Sequence, residues 1–122
     1  SKSFKNRNVI AVFQPHRYTR LQNLWNEFMG AFSDVDRVVV TDVYAASEDP
    51  IEGVNSEAFT NELKEKIDIP CENLKGDMKT VAKQLFTTLK SGDVVIGLGA
   101  GTITALGKEL LALHDEGAKV GK

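Results

Sequence analysis

The residues best equipped for chemistry lie in one octapeptide, Phe13-Gln14-Pro15-His16-Arg17-Tyr18-Thr19-Arg20. It brings two guanidinium groups and an imidazole together in close succession. An Arg presents a planar fork of donors that matches a carboxylate or phosphate, and free backbone N–H groups at a helix start attract the same anions. Thr19 and Gln22 fit a capping box, a hydroxyl followed three residues later by an amide, so Thr19 is expected to cap a helix that begins at Arg20. A cation at that position is unfavourable, because the helix N-terminus already carries partial positive charge. His16, Arg17 and Arg20 thus crowd positive charge around free donors, and a bound carboxylate or phosphate would offset it. The alternative is that the same side chains are solvated and paired with Asp or Glu.

The motif needs a rigid support on both sides. Val9 to Phe13 is a continuous apolar run, as in a strand buried on both faces of a parallel sheet. Pro15 holds Gln14 extended and cannot join a central ladder, so the strand ends there. Leu21, Leu24, Trp25, Phe28, Met29 and Phe32 then form one stripe of a helix, which makes Trp25 and Phe28 core residues before ligand-stacking ones. Arg37 to Thr41 reads as a second strand. Asp42, Tyr44 and Glu48 follow it, and ligands of α/β folds bind at the carboxyl ends of strands. These three are therefore candidates to face the same crevice as Arg17. The other reading has Asp42 ending the strand, Tyr44 packing and Glu48 in solvent.

A helix capped by Asn55 or Ser56 carries Phe59, Leu63 and Ile67. A short strand between Ile69 and Leu74 is expected at a sheet edge, because of Pro70. Gly76-Asp77 starts a third helix with the stripe Met78, Val81, Ala82, Leu85, Phe86, Leu89. Lys90 to Asp93 is a turn. Val94 to Leu98 reads as another buried strand, feeding Gly99-Ala100-Gly101-Thr102 and a helix with Ile103, Leu106, Leu110 and Leu113. Glycines at 97, 99 and 101 permit close backbone approach to other backbone or to a ligand, and a tight βα turn is as good a reading as an anion site. Their spacing is not the dinucleotide fingerprint, and no Gly-Lys-Ser/Thr follows as in a P-loop. His114 is expected near the end of that helix. The alternation of strands and helices predicts an α/β fold, a three-layer, doubly wound, mostly parallel sheet. Residues 1–122 form a single domain, with 1–8 and 115–122 frayed.

Composition narrows the function. A net charge of −2 gives no global field for nucleic acid, and no basic run suggests a membrane surface. No apolar stretch nears the roughly 20 residues of a membrane span, and residues 1–8 lack the apolar region of a signal peptide. One cysteine, Cys71, rules out a disulfide within the chain and suits a reducing cytoplasm. Beside Pro70 it reads as a small buried hydrophobe. No metal-ligand cluster is apparent.

Three separated segments resemble the Mur ligases, in the alanine-adding branch of that family. They are Phe13 to Arg20, Asp42 to Glu48 with Pro50-Ile51, and Gly99-Ala100-Gly101. The resemblance is to the C-terminal domain of a three-domain, cytoplasmic bacterial enzyme of peptidoglycan biosynthesis. It implies a Rossmann-like fold and a partner relationship with absent N-terminal and central domains of the same polypeptide. The implied substrates are L-alanine, UDP-N-acetylmuramate and ATP with Mg2+, the nucleotide and metal held mainly by the central domain. The implied reaction converts the muramyl carboxylate to an acyl phosphate, which the alanine amine attacks. Arg17 would then hold the amino-acid carboxylate. Arg20 would add charge near the acyl phosphate, and His16 would donate a hydrogen bond to the same group or orient the loop, with Asp42, Tyr44 and Glu48 near the ammonium or behind Arg17. Gly99, Ala100 and Gly101 would offer backbone contacts. Ser47 departs from the pattern, which more often has Gly there, and Thr102 replaces an acidic or small polar residue. An Asp-Tyr-x-His-His-Pro-like segment, usual at the start of such domains, is missing. The chain is therefore expected to be a fragment without ligase activity of its own. The related ligase that recycles a tripeptide is the nearest alternative, and a stand-alone α/β anion-binding module is another.

Overall fold

A computed structural model describes residues 8–32, 34–90, 92–99, 103 and 105–120. The strands are β1 (Val9–Gln14), β2 (Arg37–Thr41), β3 (Cys71–Leu74) and β4 (Val94–Gly99). The helices are α1 (Tyr18–Asn23), α2 (Trp25–Met29), α3 (Ser56–Lys66), α4 (Met78–Phe86) and α5 (Ala105–Val120). All strand pairs are parallel, in the order β3-β2-β1-β4.

The apolar run of β1 places it in the centre of this sheet, where all six residues are buried. Successive side chains point to opposite faces. Ala11 and Phe13 join Leu21, Met29, Phe32, Phe59 and Leu63 under α1, α2 and α3. Ile10 and Val12 join Met78, Val81, Leu85, Ile103 and Leu106 under α4 and α5. The result is the expected three-layer, doubly wound, Rossmann-like arrangement. Phe13 is the centre of the first core, with ring centroids 4.9 Å from Phe28 and 5.6 Å from both Phe32 and Phe59. Burying one such ring stabilises the fold by roughly 1.5–3 kcal/mol.

From β1 the chain steps to β2 and β3 on one side. It then returns through α4 to β4 on the other side of β1. The strand order therefore reverses between β1 and β4, and this switch point opens a crevice at their carboxyl ends.

The helix starts follow the sequence signals. The Asn55 side chain accepts from Ala58 N–H at 2.8 Å, and the Asp77 side chain from Thr80 N–H at 2.8 Å. β3 lies at the sheet edge, directly after Pro70. Cys71 is buried, and burial pushes its thiol pKa up.

Four expectations change. The helix after the motif starts at Tyr18, and a turn at Leu24 divides it into α1 and α2. The Thr19 capping box does not form, since Arg17 is the N-cap and makes no side-chain cap bond. β4 is half-buried to exposed, because among the described residues only β1 pairs with it. α5 runs through Val120, so His114 lies in mid-helix and residues 115–120 are helical. Among the described residues no helix is long and apolar enough to cross a membrane.

Candidate functional site

The site is built at the end of β1. Pro15 has no N–H to extend a ladder, but its carbonyl accepts from Tyr44 N–H at 2.8 Å. Arg17 N–H donates to the Tyr44 carbonyl, also at 2.8 Å. The two bonds form an isolated parallel bridge between His16 and Tyr44 beyond the strand ends. The His16 and Tyr44 rings stack, with centroids 5.4 Å apart and planes within 13°. Tyr44 thereby backs the imidazole.

This junction holds three non-glycine residues at positive φ, namely Arg17 (69°), Ala46 (51°) and Ser47 (74°). Each such residue costs of order 1–3 kcal/mol and persists only where its surroundings enforce it. Glu48 is part of that enforcement. Its carboxylate accepts from Thr19 N–H at 3.2 Å and from the Thr19 hydroxyl at 2.6 Å. The Thr19 hydroxyl bond, and with smaller weight the backbone N–H groups of α1 and the Arg17 charge, hold its carboxyl pKa below the usual value. An acidic side chain of the chain itself therefore takes the place expected for a bound anion at the start of α1.

Beside this junction, a cavity of about 550 Å³ opens at the switch point, lined by Gln14, His16, Arg20, Phe28, Leu98 and Gly99 among others. Its size suits a small organic ligand. One wall is cationic and polar, through Arg20, His16 and Gln14. Phe28, Phe32 and Leu98 add apolar lining. Such a cavity can hold the anionic end of a ligand against Arg20 while its apolar part meets the rings.

The sequence candidates thus divide. His16 and Arg20 line the cavity, and Gly99 borders it. Arg17 is exposed and lies outside the lining. Tyr44 contacts the site through His16. Glu48 is turned to Thr19. Asp42 does not join them: its carboxylate accepts from Gly76 N–H at 3.0 Å, and it lines a separate polar cleft with Asn55, Asn73 and Lys75. Ala100 and Gly101 lie outside the described residues. Among the described residues no group of three or more His, Cys, Asp or Glu side chains is placed to hold a metal ion.

Gln14 was not among the candidates. It is only 4% exposed, lines the cavity, and accepts from Ile103 N–H at 2.8 Å. The available signal was a polar residue ending an otherwise apolar buried strand.

No protein-family model matches the chain. Curated relatives do. The chain is 47% identical over 106 residues to the UDP-N-acetylmuramate–L-alanine ligase of Brucella anthropi, covering 84% of the chain and 22% of that protein. It is 44% identical over 109 residues to the enzyme of that name from Syntrophus aciditrophicus, covering 89% and 22%. To the one from Gluconobacter oxydans it is 44% identical over 124 residues, covering 94% and 25%. The chain thus spans a quarter or less of the relatives it matches, while nearly all of it aligns. Over that span the chain belongs to the Mur ligase family, in the branch of the UDP-N-acetylmuramate–L-alanine ligases.

Proposed function

We propose that the chain is the C-terminal, amino-acid-binding part of an ATP-dependent ligase that joins L-alanine to UDP-N-acetylmuramate in the bacterial cytoplasm. The observation that supports this most is the convergence of His16 and Arg20 on the switch-point cavity, whose lining also includes apolar residues. Arg20 attracts the negatively charged group of the ligand, and His16, steadied by Tyr44, contributes a ring N–H to it. Phe28 and Leu98 take the apolar part. Arg17 adds positive charge at the start of α1, and Glu48 holds the loop after β2 against that helix.

In the complete enzyme the γ-phosphoryl group of ATP passes to the muramyl carboxylate, giving ADP and an acyl phosphate. The alanine amine attacks the acyl carbon, loses a proton and expels phosphate, leaving an amide. Cations beside the acyl phosphate stabilise charge that develops on its oxygens. The sequence contains no Gly-Lys-Ser/Thr of a P-loop. We assign ATP and Mg2+ to the rest of the enzyme, over which this domain closes. The chain alone is expected to release no phosphate.

The test is phosphate release by the complete polypeptide with ATP and UDP-N-acetylmuramate, adding either L-alanine or the tripeptide. Release that requires L-alanine, and that falls by about 100-fold in Arg20→Ala, supports the reading; one lost charge-assisted contact of this kind is worth about 2.7 kcal/mol in the transition state. Release that requires the tripeptide assigns the chain to the recycling ligase. A folded, complete polypeptide that binds an anion in this cavity and releases no phosphate is a binding module instead.

A further inference from the structure

The carboxyl end of β1 is tied to both neighbouring loops by different residues. Pro15 and Arg17 hold the loop after β2, through Tyr44. Gln14 holds the connection after β4. Its side-chain oxygen accepts from Ile103 N–H at 2.8 Å, a bond that spans 89 positions. Its main-chain oxygen lies against Gly99, whose φ is +127° and where any Cβ would overlap that oxygen. A single residue thus contacts the connection on both flanks, at Gly99 before it and at Ile103 after it. The same residue lines the cavity beside His16 and Arg20.

The side chain type matters here. A buried carboxamide is costly unless hydrogen-bonded, and at 4% exposure Gln14 is committed to its partners. An apolar residue of the same size would pack in β1 but leave Ile103 N–H without this acceptor. A carboxylate would supply the acceptor and add negative charge to a cavity that presents Arg20. Glutamine is the acceptor of that length without the charge.

We propose that Gln14 is a positioning residue for the amino acid in this cavity. It ties Gly99 and Ile103 to the end of β1 and so sets their distance from Arg20 and His16. The proposal rests on the reading of the cavity as the amino-acid site.

The complete polypeptide carrying Gln14→Leu or Gln14→Glu tests it, with KM for each substrate, kcat and melting temperature measured against wild type. Gln14→Leu is expected to raise KM for L-alanine about tenfold, the effect of one lost positioning hydrogen bond, and to lower the melting temperature because Ile103 N–H loses its acceptor, while KM for ATP and UDP-N-acetylmuramate stays near wild type. Gln14→Glu is expected to come nearest to wild type at the lowest pH at which the enzyme works, where the largest share of its carboxyl is protonated against the pull of Arg20 and the Ile103 N–H. Its KM for L-alanine, relative to wild type at each pH, should then climb as the pH is raised and the carboxyl ionises. If Gln14→Leu fails to fold, the pH profile of Gln14→Glu decides alone. Wild-type KM values in both variants overturn the proposal. So does a uniform loss for all three substrates that tracks a lowered melting temperature and shows no pH signature. A wild-type enzyme that does not respond to L-alanine overturns the functional reading itself, and this proposal with it.

Discussion

The Glu48 carboxylate closes on Thr19, accepting from its backbone N–H and its hydroxyl, 29 positions earlier in the chain. This pair joins the loop after β2 to the first turn of α1. It does for α1 what a local capping side chain does elsewhere, and it places a negative charge where the helix dipole favours one. Arg17, the residue at the N-cap with φ of 69°, is held between this pair and the Tyr44 carbonyl.

The Glu48 contact predicts an acid-dependent stability. Its folded-state pKa lies below the ordinary 4.5, chiefly through the Thr19 hydroxyl bond. The unfolded chain therefore binds a proton more readily than the folded one. The contribution is complete above the ordinary carboxylate value and disappears as pH falls through the lowered folded value. Asp77, held below its ordinary 3.8 by the Thr80 N–H, acts in the same direction. Urea unfolding midpoints of the complete polypeptide, measured from neutral pH down through this range, should fall on acidification. Glu48→Gln should flatten part of that fall, and a mutant curve parallel to wild type would count against the assignment.

Ser47 leads to a prediction of the opposite sign. It departs from a pattern that more often has Gly, and the structure supplies the reason in a φ of 74°. An L-residue in this region carries a steric cost of roughly 1–2 kcal/mol, which Gly does not. Gly gives back part of that gain through a more flexible unfolded chain. Ser47→Gly should therefore stabilise by about 0.5 kcal/mol, read as a raised urea midpoint at unchanged slope. A lowered midpoint would mean that the loop does not hold this conformation in solution.

How far the sequence foretold this arrangement depended on the range of the forces involved. The apolar run of β1, the stop at Pro15 and the cap at Asp77 are local and legible in the sequence, while at the start of α3 the sequence offers Asn55 or Ser56 and the structure selects Asn55. The run at β4 looks just as apolar as β1, yet one strand is central and the other an edge; which is which depends on the neighbours that topology provides. Thr19 and Gln22 satisfy a local capping rule, but Glu48 takes the hydroxyl from a distance. In the same way Arg17 and Arg20 are indistinguishable in the motif. Only the folded structure shows that Arg20 lines the cavity while Arg17 lies outside its lining. Gln14 belongs to no chemical pattern at all until Ile103 is folded against it.

Gly99 is the position where backbone geometry should be least forgiving. Its φ of +127° is strained for any L-residue, and a Cβ there would collide with the main-chain oxygen of Gln14. That oxygen belongs to β1, the central strand, and cannot move without disturbing the ladder that pairs Gln14 with Gly99. Both costs add, so Gly99→Ala should destabilise by about 3 kcal/mol or more. Gly92 offers the control, because it also has positive φ (+92°) but meets nothing within 4 Å. Gly92→Ala should carry the conformational penalty alone, about 1–2 kcal/mol. Urea unfolding of the two variants side by side separates the terms. Equal losses would show that the Gln14 carbonyl relaxes freely, and that the contact between the ends of β1 and β4 is looser than the structure has it.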